Sequence, residues 1–280
     1  MIDTILVVQG PELKSVKRGL TPELSQPKLL SLPIGAASVT HYLNNWQKRQ
    51  DFSSHQPSTI LVMGLCGSLS GQYQPGDVVI YNECVEYIEE GRRKKEEGRG
   101  KREEGRGKEQ GTRNKWMATQ TPTNCKHHTD YSVLNPKSKD YSQLLRQKCD
   151  SVLTAKLQTH FKQKASLVTG LTSDRFIYKA QEKQLLGKNT GAEVVDMEGF
   201  AILSFFANLS VSVAMVRVVS DDCYHDLPNI SSAVTSSGSL QPLALAIAMF
   251  RQPLPAFQLI RGSIQGLKVL QEVTSCLFTD

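Results

Sequence analysis

Glu193-Val194-Val195-Asp196-Met197-Glu198-Gly199-Phe200-Ala201, read together with the apolar run Val211 to Ser220 that ends in Asp221-Asp222, decides the fold. The first stretch opens a helix: Met197 to Leu209 is predicted to be helical and mostly buried, with Asp196 as its N-cap. The second is a long β-branched strand, Val211 to Val219. Two acids, Glu198 and Asp221, are thereby delivered to the ends of apolar elements. Carboxylates are uncommon there unless they are solvated, capping or at work. Taken alone, Glu198 is accounted for by the first helical turn, where the helix dipole contributes roughly 0.3 to 1 kcal/mol. Its neighbours Met197, Phe200 and Ala201 point instead to a helix start that faces protein or ligand, where a carboxylate can accept hydrogen bonds from a sugar's hydroxyls. Asp221 stands at the C-terminal end of its strand, the usual place for catalytic groups in α/β folds. It could deliver a proton to a departing heterocycle or cap the next helix, and Asp222 beside it keeps both readings open.

Outward from this pair, strands and helices alternate. Thr4 to Val8 and Ile60 to Met63 read as short buried strands, the latter closed by Gly64-Leu65-Cys66-Gly67-Ser68. Asp77 to Tyr81 follows the turn Gln74-Pro75-Gly76, and Ser166 to Thr169 is a further strand. Ala36, Val39, Leu43 and Trp46 fall at helical spacing between the first two strands. The pattern predicts an α/β fold in one domain over residues 1–251, with helices on both faces of a central mixed sheet, a three-layer sandwich. Ligands on such sheets sit at strand ends. Residues 252–280 carry Pro253 and Pro255 and read as a C-terminal extension.

A length of 280 residues with 39% hydrophobic content is enough for a globular core. The net charge of +6 is unevenly spread. Residues 89–115 hold eleven of the 33 Lys/Arg and seven of the 27 acids, which leaves 22 basic against 20 acidic residues elsewhere. The fold itself is nearly neutral, and no basic face with interleaved aromatics argues for nucleic acid. The charged segment is a repeat in which Glu89-Glu90-Gly91-Arg92 recurs every seven residues without an apolar seam, so a disordered surface insertion is expected.

No apolar run approaches the roughly 20 residues of a membrane span, and Met1-Ile2-Asp3-Thr4 lacks the layout of a signal peptide. A cytoplasmic protein without a membrane partner is expected. Six scattered cysteines without CxxC spacing fit a reducing compartment. Cys125, His127, His128 and Asp130 cluster, as do Asp221, Asp222, Cys223, His225 and Asp226, but neither set has zinc spacing and no metal is expected. Ser38, His41 and Asp51 make no hydrolase triad without a G-x-S-x-G elbow. Walker and GxGxxG sequences are missing as well.

Three ordered blocks resemble the nucleoside phosphorylase and nucleosidase superfamily, most closely its methylthioadenosine/S-adenosylhomocysteine nucleosidase branch. Gly64-Leu65-Cys66-Gly67-Ser68-Leu69 through Pro75-Gly76-Asp77-Val78-Val79 is similar to the family's glycine turn and G-D-[VI]-V signature. Asp196-Met197-Glu198 matches its ribose motif, and Arg217-Val218-Val219-Ser220-Asp221 its R-x-[IV]-S-D ending. Thr172-Ser173-Asp174-Arg175-Phe176-Ile177 is similar to its base-binding loop. The resemblance implies the phosphorylase/nucleosidase fold, no cofactor, a purine nucleoside as small-molecule partner and a homo-oligomer. It implies that Glu198 bonds the ribose hydroxyls, Met197 lies under the sugar and Asp221 serves purine N7. Phe176 would stack on the base, and Ile177 would offer backbone to its edge. Glu12 would orient the attacking water, and Cys66, Gly67 and Ser220 would complete the substrate pocket.

Breaking an N-glycosidic bond builds positive charge on the ribose and negative charge on the base, which suits this set. Ile60-Leu61-Val62-Met63 carries no cation before the glycine turn, so water is favoured over phosphate as the nucleophile. The expected function is a purine nucleosidase acting on methylthioadenosine, S-adenosylhomocysteine or a related 5′-substituted adenosine. The alternatives are a phosphate-dependent purine nucleoside phosphorylase and a nucleoside-binding module without turnover.

Overall fold

All five residues of the first strand are buried, on both of its faces, a pattern that requires a parallel strand with helices on either side. The computed structural model describes residues 2–20, 27–48, 57–87, 144–162, 164–209, 211–235, 238–239 and 241–278. The charged repeat at 89–115, the cluster at 125–130 and Asp51 lie outside them. The elements in chain order are β1 (Thr4–Val8), α1 (Pro11–Gly19), β2 (Lys28–Leu32), α2 (Ala36–Gln47), β3 (Thr59–Ser68), β4 (Val78–Tyr87), β5 (Leu144–Lys148) and α3 (Ser151–His160). Then come β6 (Ser166–Thr172), α4 (Ala180–Thr190), β7 (Val194–Asp196), α5 (Gly199–Phe206), β8 (Ser212–Asp221), a 3-10 turn at Ser231–Ala233, α6 (Pro242–Arg251) and α7 (Pro253–Phe278).

The sheet is mixed. β1 lies parallel to β2 and β3, β3 parallel to β8, and β8 antiparallel to β4. β4 pairs with β6 in parallel and with β5 in antiparallel fashion, and β6 carries β7 beside it. β7 in turn pairs antiparallel with Gly67 and Ser68 at the end of β3. The strands β3, β8, β4, β6 and β7 therefore form a closed ring, to which β1 and β2 add an open wing. Period-two alternation sends side chains to two layers. Ile5, Val7, Leu61, Met63, Val216 and Val218 pack with Val16 of α1, Leu157 of α3, and Leu270 and Val273 of α7. Leu6, Ile60, Val62, Met215 and Val219 pack on the other side with Val39, Leu43 and Trp46 of α2 and Phe200, Leu203 and Phe206 of α5. The Trp46 and Phe206 rings meet edge to face at 6.4 Å, an arrangement favoured by the ring quadrupoles.

The architecture agrees with the three-layer expectation, and three local readings are corrected. Gly64 to Ser68 does not close β3; it is the second half of that strand. Its glycines serve close approach of other side chains rather than a turn. α5 begins at Gly199, so Met197 and Glu198 precede the helix. The domain also continues past residue 251, because α7 places Leu270 and Val273 in the core and bonds Gln265 Nε2 to the Pro75 carbonyl at 2.7 Å. Two prolines and two glycines within α7 weakened its helical signal. Among the described residues, no helix is long and apolar enough to cross a membrane, and Cys66, Cys84, Cys149, Cys223 and Cys276 are free.

Candidate active site

The C-terminal ends of β1, β3, β7 and β8 open on one cavity of about 840 Å³. Each wall follows from local sequence. Gly10, at φ 100°, lets the chain leave β1 and turn straight into α1, whose first-turn Pro11 and Glu12 face the cavity. β3 and β8 slip register between Cys66 and Gly67, so Val219 and Asp221 face successive β3 residues and Ser220 bulges between them. A bulge re-aims side chains at a strand end, and here Ser220 and Asp221 are turned to the cavity. The loop after β6 brings Arg175, Phe176 and Ile177, and the link from β7 to α5 brings Asp196, Met197 and Glu198. Leu245 and Met249 of α6, with Leu259, Ile260 and Ile264 of α7, form an apolar outer wall.

All nine residues singled out from the sequence, Glu12, Cys66, Gly67, Phe176, Ile177, Met197, Glu198, Ser220 and Asp221, line this one cavity. Their bonding differs in detail from expectation. Asp196 is not the N-cap, which is Glu198; from the end of β7 its Oδ1 still accepts the Gly199 amide at 3.0 Å and the Glu198 amide at 3.3 Å. Glu198 holds the N-cap position, but its side chain makes no cap hydrogen bond. Its side chain reaches away from the helix, and Oε1 accepts the Gly35 amide at 2.8 Å. Glu12 Oε2 accepts the Leu65 amide at 3.2 Å.

Sequence reading missed the cation that organises this end. Arg217 is 1% exposed and lies on the α2/α5 face of β8, in register with Val213, Met215 and Val219. Its Nη2 pairs with Asp196 Oδ2 at 3.2 Å, while Thr172 Oγ1 donates to Asp196 Oδ1 at 2.8 Å. A β-carbon on Gly64 would overlap both the Glu12 carboxylate and the Arg217 guanidinium. The signal was a lone arginine inside an otherwise apolar strand. Burial pushes the carboxyl groups of Glu12 and Glu198 up to about 7, with Arg217 opposing the rise and Asp196 adding to it. Burial likewise pushes the Cys66 thiol up, which rules it out as a thiolate nucleophile.

Asp221, read from the sequence as a proton donor or a helix cap, has its Oδ2 ion-paired with Lys183 Nζ from α4. Lys183 also donates to the Asp222 carbonyl at 2.8 Å, and Ser220 Oγ is 2.5 Å from Asp221 Oδ1. Lys183 sits in the polar run Ala180 to Gln184, which carries no sequence signal of burial. The acids and histidine that follow are each engaged: Asp222 with His225 Nδ1 at 2.9 Å, and Asp226 with Lys179 at 2.7 Å. Among the described residues, no three His, Cys, Asp or Glu side chains converge as a metal site. His41 of the discarded triad faces Asn45 on the exposed side of α2.

A sequence model described as the phosphorylase superfamily matches residues 23–242. No curated protein matches the chain. Among solved structures, futalosine hydrolase of Helicobacter pylori superposes with a TM-score of 0.55 at 12% identity, covering 98% of this chain and 97% of that one. A mutant methylthioadenosine nucleosidase of the same organism, solved with 5′-methylthioadenosine in its active site, gives 0.55 at 12% identity and 98% of both chains. The 5′-methylthioadenosine/S-adenosylhomocysteine nucleosidase of S. pneumoniae, with a transition-state inhibitor, gives 0.54 at 16% identity, with 98% and 99% covered. At these identities the likeness concerns the fold.

Proposed function

Because the chain belongs to the phosphorylase superfamily, we propose that it cleaves the N-glycosidic bond of a 5′-substituted purine nucleoside with water as the nucleophile. One observation carries this reading: Glu12, Glu198 and Asp221, from three distant parts of the chain, meet in a single cavity. As the bond from C1′ to N9 breaks, its electron pair passes to the purine and N7 takes up a proton at Asp221. The oxygen of water bonds to C1′ and gives its proton to Glu12. A carboxylate pushed up to about 7 is matched to that task near neutral pH. Glu198, anchored by the Gly35 amide, is placed to hold the ribose hydroxyls, and Met197 and Phe176 offer apolar surface to the sugar and the base.

The charge around the site supports water over phosphate. Of the cations at or behind the cavity, Arg217 is paired with Asp196, Lys183 with Asp221 and Arg175 with Glu182. A phosphate dianion would have to compete with a carboxylate for each of them. The apolar wall of Leu245, Met249, Leu259, Ile260 and Ile264 suits an apolar 5′ substituent such as a thioether. The test is release of free base from 5′-methylthioadenosine, S-adenosylhomocysteine, adenosine and inosine, with and without phosphate. Phosphate-independent release, fastest with the thioethers, is expected. Release that requires phosphate and yields the sugar 1-phosphate would overturn hydrolysis, and binding without release would overturn turnover.

A further inference from the structure

Lys183 is the one lysine among the described residues whose side chain is wholly out of solvent, at 0% exposure. Taking an ammonium and a carboxylate out of water costs more than their attraction commonly returns, and apolar residues of similar size often replace such pairs without loss. A buried pair placed against a cavity is therefore better explained by chemistry than by stability. Its construction is specific. Nζ meets Asp221 Oδ2 and the Asp222 carbonyl, and the next residue, Gln184, fixes the same loop through the Cys223 carbonyl at 3.0 Å. The loop that follows β8 is thus fastened to α4 by two consecutive side chains. The carboxylates nearby have partners of their own, Asp222 in His225 at 2.9 Å and Asp226 in Lys179 at 2.7 Å.

Asp221 alone faces the cavity, and Lys183 reaches the reaction only through it. We propose that Lys183 supplies, through Asp221, the proton taken up by the departing base; this makes it a positioning residue, and the inference rests on the glycosidic cleavage proposed above. A proton moves from Nζ to Asp221 and from Asp221 to purine N7 as the C1′–N9 pair withdraws into the base. Lys183 is left neutral beside an anionic Asp221. Water meanwhile adds to C1′ and leaves its proton on Glu12. After product leaves, Glu12 releases that proton to solvent and Lys183 regains one, so the cycle closes without any further reactant.

The test compares 5′-methylthioadenosine with its N7-methylated cation, whose base departs neutral and needs no proton. Lys183→Met removes both charge and proton. Lys183→Arg keeps the charge, but a guanidinium does not give up a proton. Both variants are expected to lose about 100-fold or more in kcat on the unmethylated nucleoside, the usual scale of general acid catalysis, and to stay within about threefold of wild type on the methylated one. Turnover of the methylated nucleoside also reports that the variants are folded. Equal losses on both nucleosides, or a fully active Lys183→Arg, would overturn the inference alone. Wild-type protein that releases base from neither nucleoside would overturn the cleavage reading and this inference with it.

Discussion

The two ends of the cavity are both built on enclosed carboxylates, and they differ in how many share a cation. At one end Arg217 alone faces Asp196, Glu198 and Glu12. At the other, Lys183 and Asp221 pair one to one. Where a single guanidinium serves three acids, it compensates the one it touches. The other two, Glu12 and Glu198, are pushed up to about 7 by burial. Charge stoichiometry, set by a few buried side chains, thus leaves two raised carboxyl groups at one end and a closed ion pair at the other.

Removing the shared cation should have the largest effect. Arg217→Met leaves Asp196 buried without its partner, and breaking a buried pair in this way costs about 3–5 kcal/mol. It also takes away the influence that holds Glu12 and Glu198 down, so both carboxyls rise further and the rate of any surviving protein shifts to higher pH. Urea unfolding measures the first effect and a pH–rate profile the second. A variant within about 1 kcal/mol of wild type, below the cost of breaking a buried pair, would show that Arg217 does not organise its end of the site.

A smaller effect belongs to the Arg217 end and is read through pH. The Glu198 carboxyl moves from an ordinary 4.5 to about 7 on folding, and Glu12 does the same. The folded state holds these protons more tightly than the unfolded chain. The resulting stabilisation is complete below the unfolded value and is lost as pH rises through about 7. For one group the shift corresponds to about 3 kcal/mol. Glu198→Gln should therefore flatten the decline of the urea midpoint between about pH 5 and pH 8, leaving the part that belongs to Glu12. An unchanged decline would mean that Glu198 is not the titrating group.

How much of this could be read from the sequence depended on whether a residue's role was local. The buried strands and the α2 stripe were legible because period and burial coincide in them, as in Val39, Leu43 and Trp46. The acids were legible as outliers: Glu198 and Asp221 are carboxylates at the ends of apolar elements, and Glu12 came through the resemblance. Their partners were not legible. Arg217 stands out as a lone charge in an apolar strand, but its partner Asp196 lies across the sheet, and Lys183 reaches Asp221 from a helix whose polar sequence gives no sign of the contact. The same limit explains the misreading of Gly64 to Ser68. Glycine punctuates loops often enough to suggest a turn. Here the reason for glycine is what lies over it, a fact of tertiary structure alone.

The two glycines of that strand offer the smallest and most selective test, because each lies under one end of the cavity. A β-carbon at Gly64 would collide with Glu12 and Arg217 together, and neither can retreat without breaking its bond to Leu65 or to Asp196. A β-carbon at Gly67 would stand 2.7 Å from Asp221 Oδ2 and 3.3 Å from Val195 Cγ1. That end is held through Lys183, at the tip of a flexible side chain, and can give more easily. Gly64→Ala should therefore cost about 1–3 kcal/mol, the usual scale of overpacking, and Gly67→Ala less. Activity should separate them further. In the proposed reaction Glu12 serves the attacking water whatever the base carries, so Gly64→Ala should slow N7-methylated and unmethylated nucleosides alike. In the same proposal Asp221 matters only when the base needs a proton, so Gly67→Ala should slow the unmethylated nucleoside alone. If the two alanines give the same ratio of rates on the two nucleosides, the division of labour between Arg217 and Lys183 fails, even if each residue is needed for the fold.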